Sequence, residues 1–175
     1  MIDIWRRFLK ALGDGRVCKE GDDYIRVKGN GRPRSVNIKT LPYPGFPTDL
    51  QQPMTVLLST ANGTSVIVEN IFEARFKHID EIRRMGAKVT IDDRIAVVNG
   101  VDRLTGAPVK ATDLRAGAAL IIAGLMAEGT TEIFNIKYIE RGYDHIDDKL
   151  VKLGADIIRV KEEPKAEENF ETEFK

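Results

Sequence analysis

A layered α/β fold with helices buried inside it is what this 175-residue sequence predicts, and three observations carry that expectation. A short amphipathic helical segment closed by glycine recurs three times, ending at Gly13, Gly86 and Gly154, each time followed by strand-forming residues. A Thr-Asp-Leu motif opens two further helical segments, at Thr48-Asp49-Leu50-Gln51 and at Thr112-Asp113-Leu114-Arg115. The second of these continues as AGAALIIAGLMA, residues Ala116 to Ala127, which is apolar on nearly every face and is therefore expected to be buried all round.

The elements follow in chain order. Ile4 to Gly13 places Trp5, Phe8, Leu9 and Leu12 on one helical face, and Gly13 supplies the left-handed cap. Val17 to Val27 (VCKEGDDYIRV) reads as strand. Pro42-Tyr43-Pro44-Gly45-Phe46-Pro47 is too rich in proline for helix or central strand and is expected to approach the next helix as a rigid extended loop. A helix from Thr48 to about Ala61, the pair Gly63-Thr64 and a β-branched strand ending at Asn70 come next.

The glycine-closed helix then returns at Ile79 to Gly86, with Val89 to Val98 forming a hairpin around Asp92-Asp93. From Thr112 the pattern starts again: the apolar helix to about Ala127, Gly129-Thr130, a strand ending at Asn135, the helix Ile146 to Gly154 and a strand Ile157 to Val160. The unit is helix, strand, helix, hairpin. Its period of roughly 70 residues is too long for a solenoid repeat. The first copy starts at its amphipathic helix, so the sequence is expected to begin in the middle of a repeat. Residues 1–160 form one partial domain on this reading, and 161–175, with six Glu, three Lys and no apolar period, form an acidic tail expected to be disordered.

Composition narrows the function. Hydrophobic residues make up 42% and charged residues 31%, enough to build a core in water. Twenty-seven basic side chains balance twenty-seven acidic ones, so no global positive field favours a nucleic-acid backbone. No apolar stretch is long enough to span a bilayer and the N-terminus lacks a signal-peptide core, which together point to the cytoplasm. One cysteine, Cys18, excludes a disulfide framework, and with two histidines a metal site or metal cofactor is not expected.

Candidate chemistry lies at helix entrances and on the loops between copies. Asp49 sits where the proline-rich segment meets its helix. It reads either as a first-turn acid beside an ordinary Thr48 cap or as a positioned carboxylate base. Asp113 has the same local reading more strongly. Arg115 is a cation in a first helical turn, where the macrodipole disfavours it unless an anion intervenes; that suggests phosphate or carboxylate binding, with pairing to a nearby acid as the bland alternative.

Arg75 in IFEARF and Arg141 in IERGY occupy equivalent connecting loops, and Gly142 after Arg141 suggests backbone crowding around a ligand. With Arg115 these arginines would form an anion clamp if the loops converge. His78 and His145, each followed by Ile-Asp, match a structural helix-start role better than a catalytic one. Cys18 has no activating partner in sequence and reads as inert.

Taken together, PYPGFPTDLQQP (Pro42–Pro53), IFEARF (Ile71–Phe76), ATDLRAGAALIIAGLMAEGTT (Ala111–Thr131) and YIERGYDHIDDKLVKLGADI (Tyr138–Ile157) resemble the UDP-N-acetylglucosamine 1-carboxyvinyltransferases, which are enolpyruvyl transferases. The resemblance runs in order to about Val160. The related shikimate-pathway enolpyruvyl transferase shares the fold but matches these motifs poorly. The resemblance implies an inside-out α/β barrel of repeated units, here incomplete, as the C-terminal part of a two-domain enzyme. It places the missing domain's mobile-loop cysteine and much of the nucleotide-sugar site elsewhere, and Cys18 is not that cysteine.

It further implies transfer of the enolpyruvyl group of phosphoenolpyruvate to the 3-hydroxyl of UDP-N-acetylglucosamine with release of phosphate, in peptidoglycan synthesis. By motif, Asp49 matches the general base, Arg115 and Arg141 match cations that hold phosphoenolpyruvate, Arg75 matches a cleft cation, and Ile71 and Phe72 match positions packed on the nucleotide sugar. Ile71 and Phe72 otherwise read as core residues ending a strand. Ala74 departs from the asparagine usual in the family. The chain alone is expected to be inactive. A non-catalytic binding domain of the same fold, or one chain of a split enzyme, are the rival expectations. An unfinished barrel would also leave apolar surface and sheet edges open to self-association.

Overall fold

The computed structural model describes residues 18–21, 24–28 and 31–160. The helical segment at Ile4–Gly13 and the acidic tail lie outside the described residues. Contacts divide the chain into two units, Met1–Asp144 and His145–Lys175.

In the first unit, β1 (Cys18–Glu20) and β2 (Ile25–Val27) pair as an antiparallel hairpin within the segment that reads as strand. The main sheet has four strands in the order β3 (Ile38–Lys39), β4 (Thr64–Val68), β6 (Ile95–Asn99), β5 (Lys88–Asp92). β3 runs parallel to β4, and β4 and β5 flank β6 antiparallel. The expected hairpin is β5–β6, paired to its end at Asp92 and Ile95, with Asp93 at φ +49° in the turn. A second, parallel pair joins β7 (Pro108–Lys110) to β8 (Glu132–Phe134).

Helix α1 (Gln51–Ser59) packs between the main sheet and α3 (Leu114–Met126), and α2 (His78–Arg84) and α4 (Lys137–Glu140) also contact α3. Leu58 of α1, Ile67 of β4, Ile79 and Ile82 of α2, Met85, Leu104 and Leu120 of α3 are all fully buried where these layers meet. The internal helices of the sequence reading are therefore present. The apolar α3, however, is not enclosed on every side: Ile122 and Leu125 are 38% and 45% exposed. Its alanines and Gly117 take the packed face because only small residues let neighbouring elements approach; a Cβ at Gly117 would stand 2.3 Å from Ile139 of α4.

The repeat is visible in the caps. After α2, Gly86 at φ +90° donates to the Arg83 carbonyl and Ala87 donates to Ile82. In the second unit α5 (Ile146–Lys152) ends the same way: Gly154 at φ +91° donates to Val151, and Ala155 to Leu150. A residue with a Cβ pays sterically for that left-handed position, which is why glycine closes both copies. Arg159 forks onto Asp147, its Nε and Nη2 donating to the two carboxylate oxygens, and this hydrogen bonding holds the Asp147 carboxyl below its ordinary pKa. Ile157–Val160, expected as a strand, forms none with the described residues. No helix among those residues is long and apolar enough to cross a membrane.

Candidate active site

The two Thr-Asp-Leu motifs fold differently, and that difference makes the site. At the second, Asp113 is itself the cap of α3: its Oδ1 accepts from the backbone N–H of Arg115 at 2.9 Å and of Ala116 at 2.8 Å. Its role is local, as the sequence suggests, but it is the cap itself and not a first-turn acid beside a threonine cap. At the first, Thr48 is not a cap. Pro47, in extended conformation, precedes a 3₁₀ turn over Thr48–Leu50 that runs into α1, and no side chain caps it. The Thr48 hydroxyl instead donates to Glu69 Oε2 at 2.9 Å. Asp49, inside the turn, keeps its carboxylate free of backbone duty and half exposed.

The proline-rich approach is likewise not an extended rod. Leu41 N–H donates to the Phe46 carbonyl and Gly45 N–H to Pro42, so the segment folds back as a closed loop with a cis Tyr43–Pro44 bond. The prolines remove donors and so exclude a strand, yet leave the remaining N–H groups to close the turn.

Two arginines meet at Asp49. Arg75 Nη2 donates to Oδ1 at 2.8 Å and Arg115 Nη2 donates to Oδ2 at 2.7 Å. The Arg75 guanidinium also lies 4.7 Å from the centroid of the Phe72 ring, and its Nε is buried without a partner. Arg115 divides its fork, with Nη1 donating to the Tyr143 hydroxyl at 2.7 Å. Hydrogen bonds to Tyr143 and then to Asp49 raise the Arg115 pKa above its ordinary value. The unfavourable cation in the first turn of α3 is thus matched by Asp49, which is the paired reading of Arg115.

Arg141 is not part of this cluster. It is exposed at the C-terminal end of α4, and its side chain makes no hydrogen bond or ion pair with the described residues. The crowding at Gly142 is against protein: a Cβ there would come within 2.9 Å of Leu114 at the start of α3. That close approach carries Tyr143, unmarked by any motif in the sequence, to Arg115.

Ile71 and Phe72 are not core residues; both are exposed, Phe72 by 48%. The loop that carries them holds Ala74 at φ +51°, the left-handed region that asparagine tolerates better than alanine. An open recess of about 420 Å³ is lined by Asp49, Phe72, Arg75, Lys77, Asp113 and Arg115. It is a mixed-charge concavity with an acid between two cations, suited to a ligand that carries both an exchangeable proton and anionic groups.

The two histidines part company. His145 stands at the start of α5 with φ +45°, exposed, with Nδ1 3.5 Å from Asp148. His78 begins α2 fully buried, with neither ring nitrogen hydrogen-bonded. Burial lowers its pKa to about 4, opposed by the charge of Asp113 and by the Arg75 carbonyl, which acts from outside good hydrogen-bond geometry. Cys18 lies in β1. Among the described residues no group of three His, Cys, Asp or Glu side chains could hold a metal ion.

Known proteins share this architecture. The family model described as EPSP synthase (3-phosphoshikimate 1-carboxyvinyltransferase) matches residues 1–150. UDP-N-acetylglucosamine 1-carboxyvinyltransferase 2 of Clostridium acetobutylicum is 55% identical over 152 residues, covering 87% of this chain and 36% of that protein. A UDP-N-acetylglucosamine 1-carboxyvinyltransferase of Desulfofundulus thermocisternus is 61% identical over 140 residues, covering 80% of this chain and 58% of that protein. The chain thus spans between about a third and three fifths of the curated relatives it matches. Among solved structures, the enolpyruvyl transferase NikO from Streptomyces tendae superposes with a TM-score of 0.79 at 30% identity, covering 88% of this chain and 35% of that one. With its two Thr-Asp-Leu helices, its glycine-capped repeats and a family match over residues 1–150, this chain belongs to the EPSP synthase family of enolpyruvyl transferases.

Proposed function

We propose that this chain supplies one wall of an active site that transfers the enolpyruvyl group of phosphoenolpyruvate to UDP-N-acetylglucosamine, in the cytoplasm, for peptidoglycan synthesis. The observation that carries the reading is Asp49 held between Arg75 and Arg115 on an open recess. In this reading the 3-hydroxyl of the sugar adds to C2 of phosphoenolpyruvate while C3 gains a proton from an acid on the opposite wall of the site. Loss of a methyl proton and of phosphate then restores the double bond. Asp49 takes the proton from the hydroxyl, releases it to solvent, and is then free to take one from the methyl group, for which it must come within hydrogen-bond reach of each.

Arg115 and Arg141 are assigned to the anionic groups of phosphoenolpyruvate, Arg75 to the cleft, and Ile71 and Phe72 to the nucleotide sugar. As it stands, the Asp49 carboxylate is neutralised by its two arginines. An incoming phosphate or carboxylate that recruits Arg115 frees Oδ2 to act as base. Developing charge would then be met by cations already in place, the arrangement that contributes most in such transfers.

Because Asp49, Arg75 and Arg115 face an open recess, turnover requires a second wall, and the chain by itself is inactive in this reading. Residues 1–160 act as a partial domain with the acidic tail beyond it. The exposed face of α3 at Ile122 and Leu125 supports self-association of the isolated chain, which light scattering of a concentrated sample measures directly; a clean monomer excludes it.

The test is phosphate release from phosphoenolpyruvate and UDP-N-acetylglucosamine by this chain alone and after addition of the N-terminal portion of the Clostridium acetobutylicum relative. Activity only on mixing is expected. Steady turnover by the chain alone removes the requirement for a second wall, and silence in both with the fold intact favours a non-catalytic binding domain.

A further inference from the structure

Glu69 is a carboxylate that no motif singles out. It lies directly after β4, only 1% exposed, and has no cation within ion-pair distance among the described residues. Its charge is met by four hydrogen bonds instead. Oε1 accepts from the Thr40 hydroxyl at 2.9 Å and from the backbone N–H of Ile71 at 2.9 Å and of Phe72 at 3.1 Å. Oε2 accepts from the Thr48 hydroxyl at 2.9 Å. Removing a charge from water without such donors would be prohibitive, so burial and four-fold acceptance belong together.

Those donors are not scattered. Thr40 follows β3, Thr48 opens the turn that presents Asp49, and Ile71 and Phe72 begin the loop whose Phe72 ring supports the Arg75 guanidinium. One carboxylate group therefore holds both ends of the Asp49–Arg75 ion pair. Oε2 takes the Thr48 hydroxyl, which caps nothing, and the neighbouring Asp49 carboxylate bonds to arginines and to no backbone group. Oε1 anchors the opposite loop.

We infer that Glu69 is a positioning residue for the Asp49–Arg75 pair, acting through Thr48 on one side and through the Ile71–Phe72 amides on the other. It rests on the reading of Asp49 as the base, because only then does the placement of that carboxylate matter to a reaction. A glutamine can partly replace it. Its carbonyl keeps the Oε1 contacts, and the Thr48 hydroxyl rotates to accept from the amide group. Alanine cannot, and leaves buried donors unpaired.

The experiment is NMR on the full chain with Thr48→Val, Glu69→Gln and Glu69→Ala. It follows amide hydrogen exchange together with the side-chain signals of Asp49 (carboxyl carbon) and of Arg75 and Arg115 (guanidinium nitrogens). The amides of Leu50 and Gln51, bonded to Pro47 and Thr48, report on the turn. Thr48→Val removes one hydrogen bond to a charged acceptor and little volume. Exchange at Leu50 and Gln51 is expected to quicken about tenfold, with the Asp49 and Arg75 side-chain signals displaced while β4–β6 amides stay protected.

Glu69→Ala is expected to loosen the Ile71–Phe72 amides as well, and Glu69→Gln to restore them. Side-chain signals of Asp49 and Arg75 that stay in place in a folded Thr48→Val variant would overturn the inference, whatever happens to Glu69→Ala. Titration of the unaltered chain with UDP-N-acetylglucosamine, after addition of the N-terminal portion of the Clostridium acetobutylicum relative that supplies the second wall, tests the underlying reading separately. A silent Asp49 signal there, beside variants that behave as expected, refutes the enzymatic reading and leaves the coupling of Glu69 to Asp49 standing.

Discussion

Asp49 and Arg115, sixty-six positions apart, are joined by a 2.7 Å hydrogen bond between Oδ2 and Nη2. Each residue opens one of the two Thr-Asp-Leu helices, so the bond links the same end of α1 and α3, which pack against each other. The pairing settles how a cation can occupy the first turn of α3, and it leaves Asp49 neutralised until an anion competes for the arginine.

Asp49→Asn removes the charge that both arginines share. Because the carboxylate is half exposed, each pair contributes little to stability, and a loss of under about 1 kcal/mol per pair is expected. Phosphate release in the reconstituted assay is expected to fall by about 10²- to 10⁴-fold. Normal turnover by the Asp49→Asn variant removes Asp49 from the chemistry.

Asp113→Ala has the opposite profile. It deletes the cap that accepts from Arg115 and Ala116 N–H, at a cost of about 1 kcal/mol. At this chain length a melting temperature lower by roughly 2–4 °C follows. Asp113→Asn, which keeps an accepting oxygen, should recover most of it; equal losses for both variants would mean that charge, not capping, is what Asp113 supplies.

Ala74 strains the loop between Phe72 and Arg75, since its φ of +51° brings Cβ against the backbone. Ala74→Asn and Ala74→Gly are each expected to stabilise the chain by roughly 0.5–1 kcal/mol. Thermal unfolding measures this, and a lowered midpoint in both variants would show that the backbone there relaxes instead.

His78 ties stability to pH. The unfolded chain protonates this histidine near pH 6.5, whereas the native chain holds it neutral down to about pH 4. The unfolded state therefore binds the extra proton below pH 6.5, and stability present above that pH is lost as pH falls towards 4. The size is on the order of 3 kcal/mol. Urea unfolding of His78→Leu should lack this part of the pH dependence. At neutral pH the variant should be nearly as stable as the parent, because neither ring nitrogen has a hydrogen bond to lose. An unchanged pH slope in the variant assigns the effect to other groups.

The sequence by itself determined the units and their ends. Gly86 and Gly154 close α2 and α5 with the same pair of hydrogen bonds because the left-handed cap is a local preference of glycine. The β-branched runs around Asp93 became β5 and β6, and the apolar run after Asp113 became a helix in the core, since period and propensity are encoded within a few residues. Arg115 stood out for a local reason too, as a cation in a first helical turn, while Asp49 and Arg75 stood out by their places at a helix entrance and on a repeated loop.

What only the tertiary structure decided is which of two like motifs keeps a free carboxylate. Thr48-Asp49-Leu50 and Thr112-Asp113-Leu114 are equivalent along the chain, but Thr48 donates to Glu69 and Asp49 turns to Arg75 and Arg115, while Asp113 turns back to cap its own helix. Tyr143 left no local signal because its partner Arg115 lies 28 positions away, and Glu69 because two of its four donors, Thr40 and Thr48, lie 29 and 21 positions away. The exposure of Ile122 and Leu125 was equally illegible, since an apolar helix face looks the same in sequence whether or not another layer covers it.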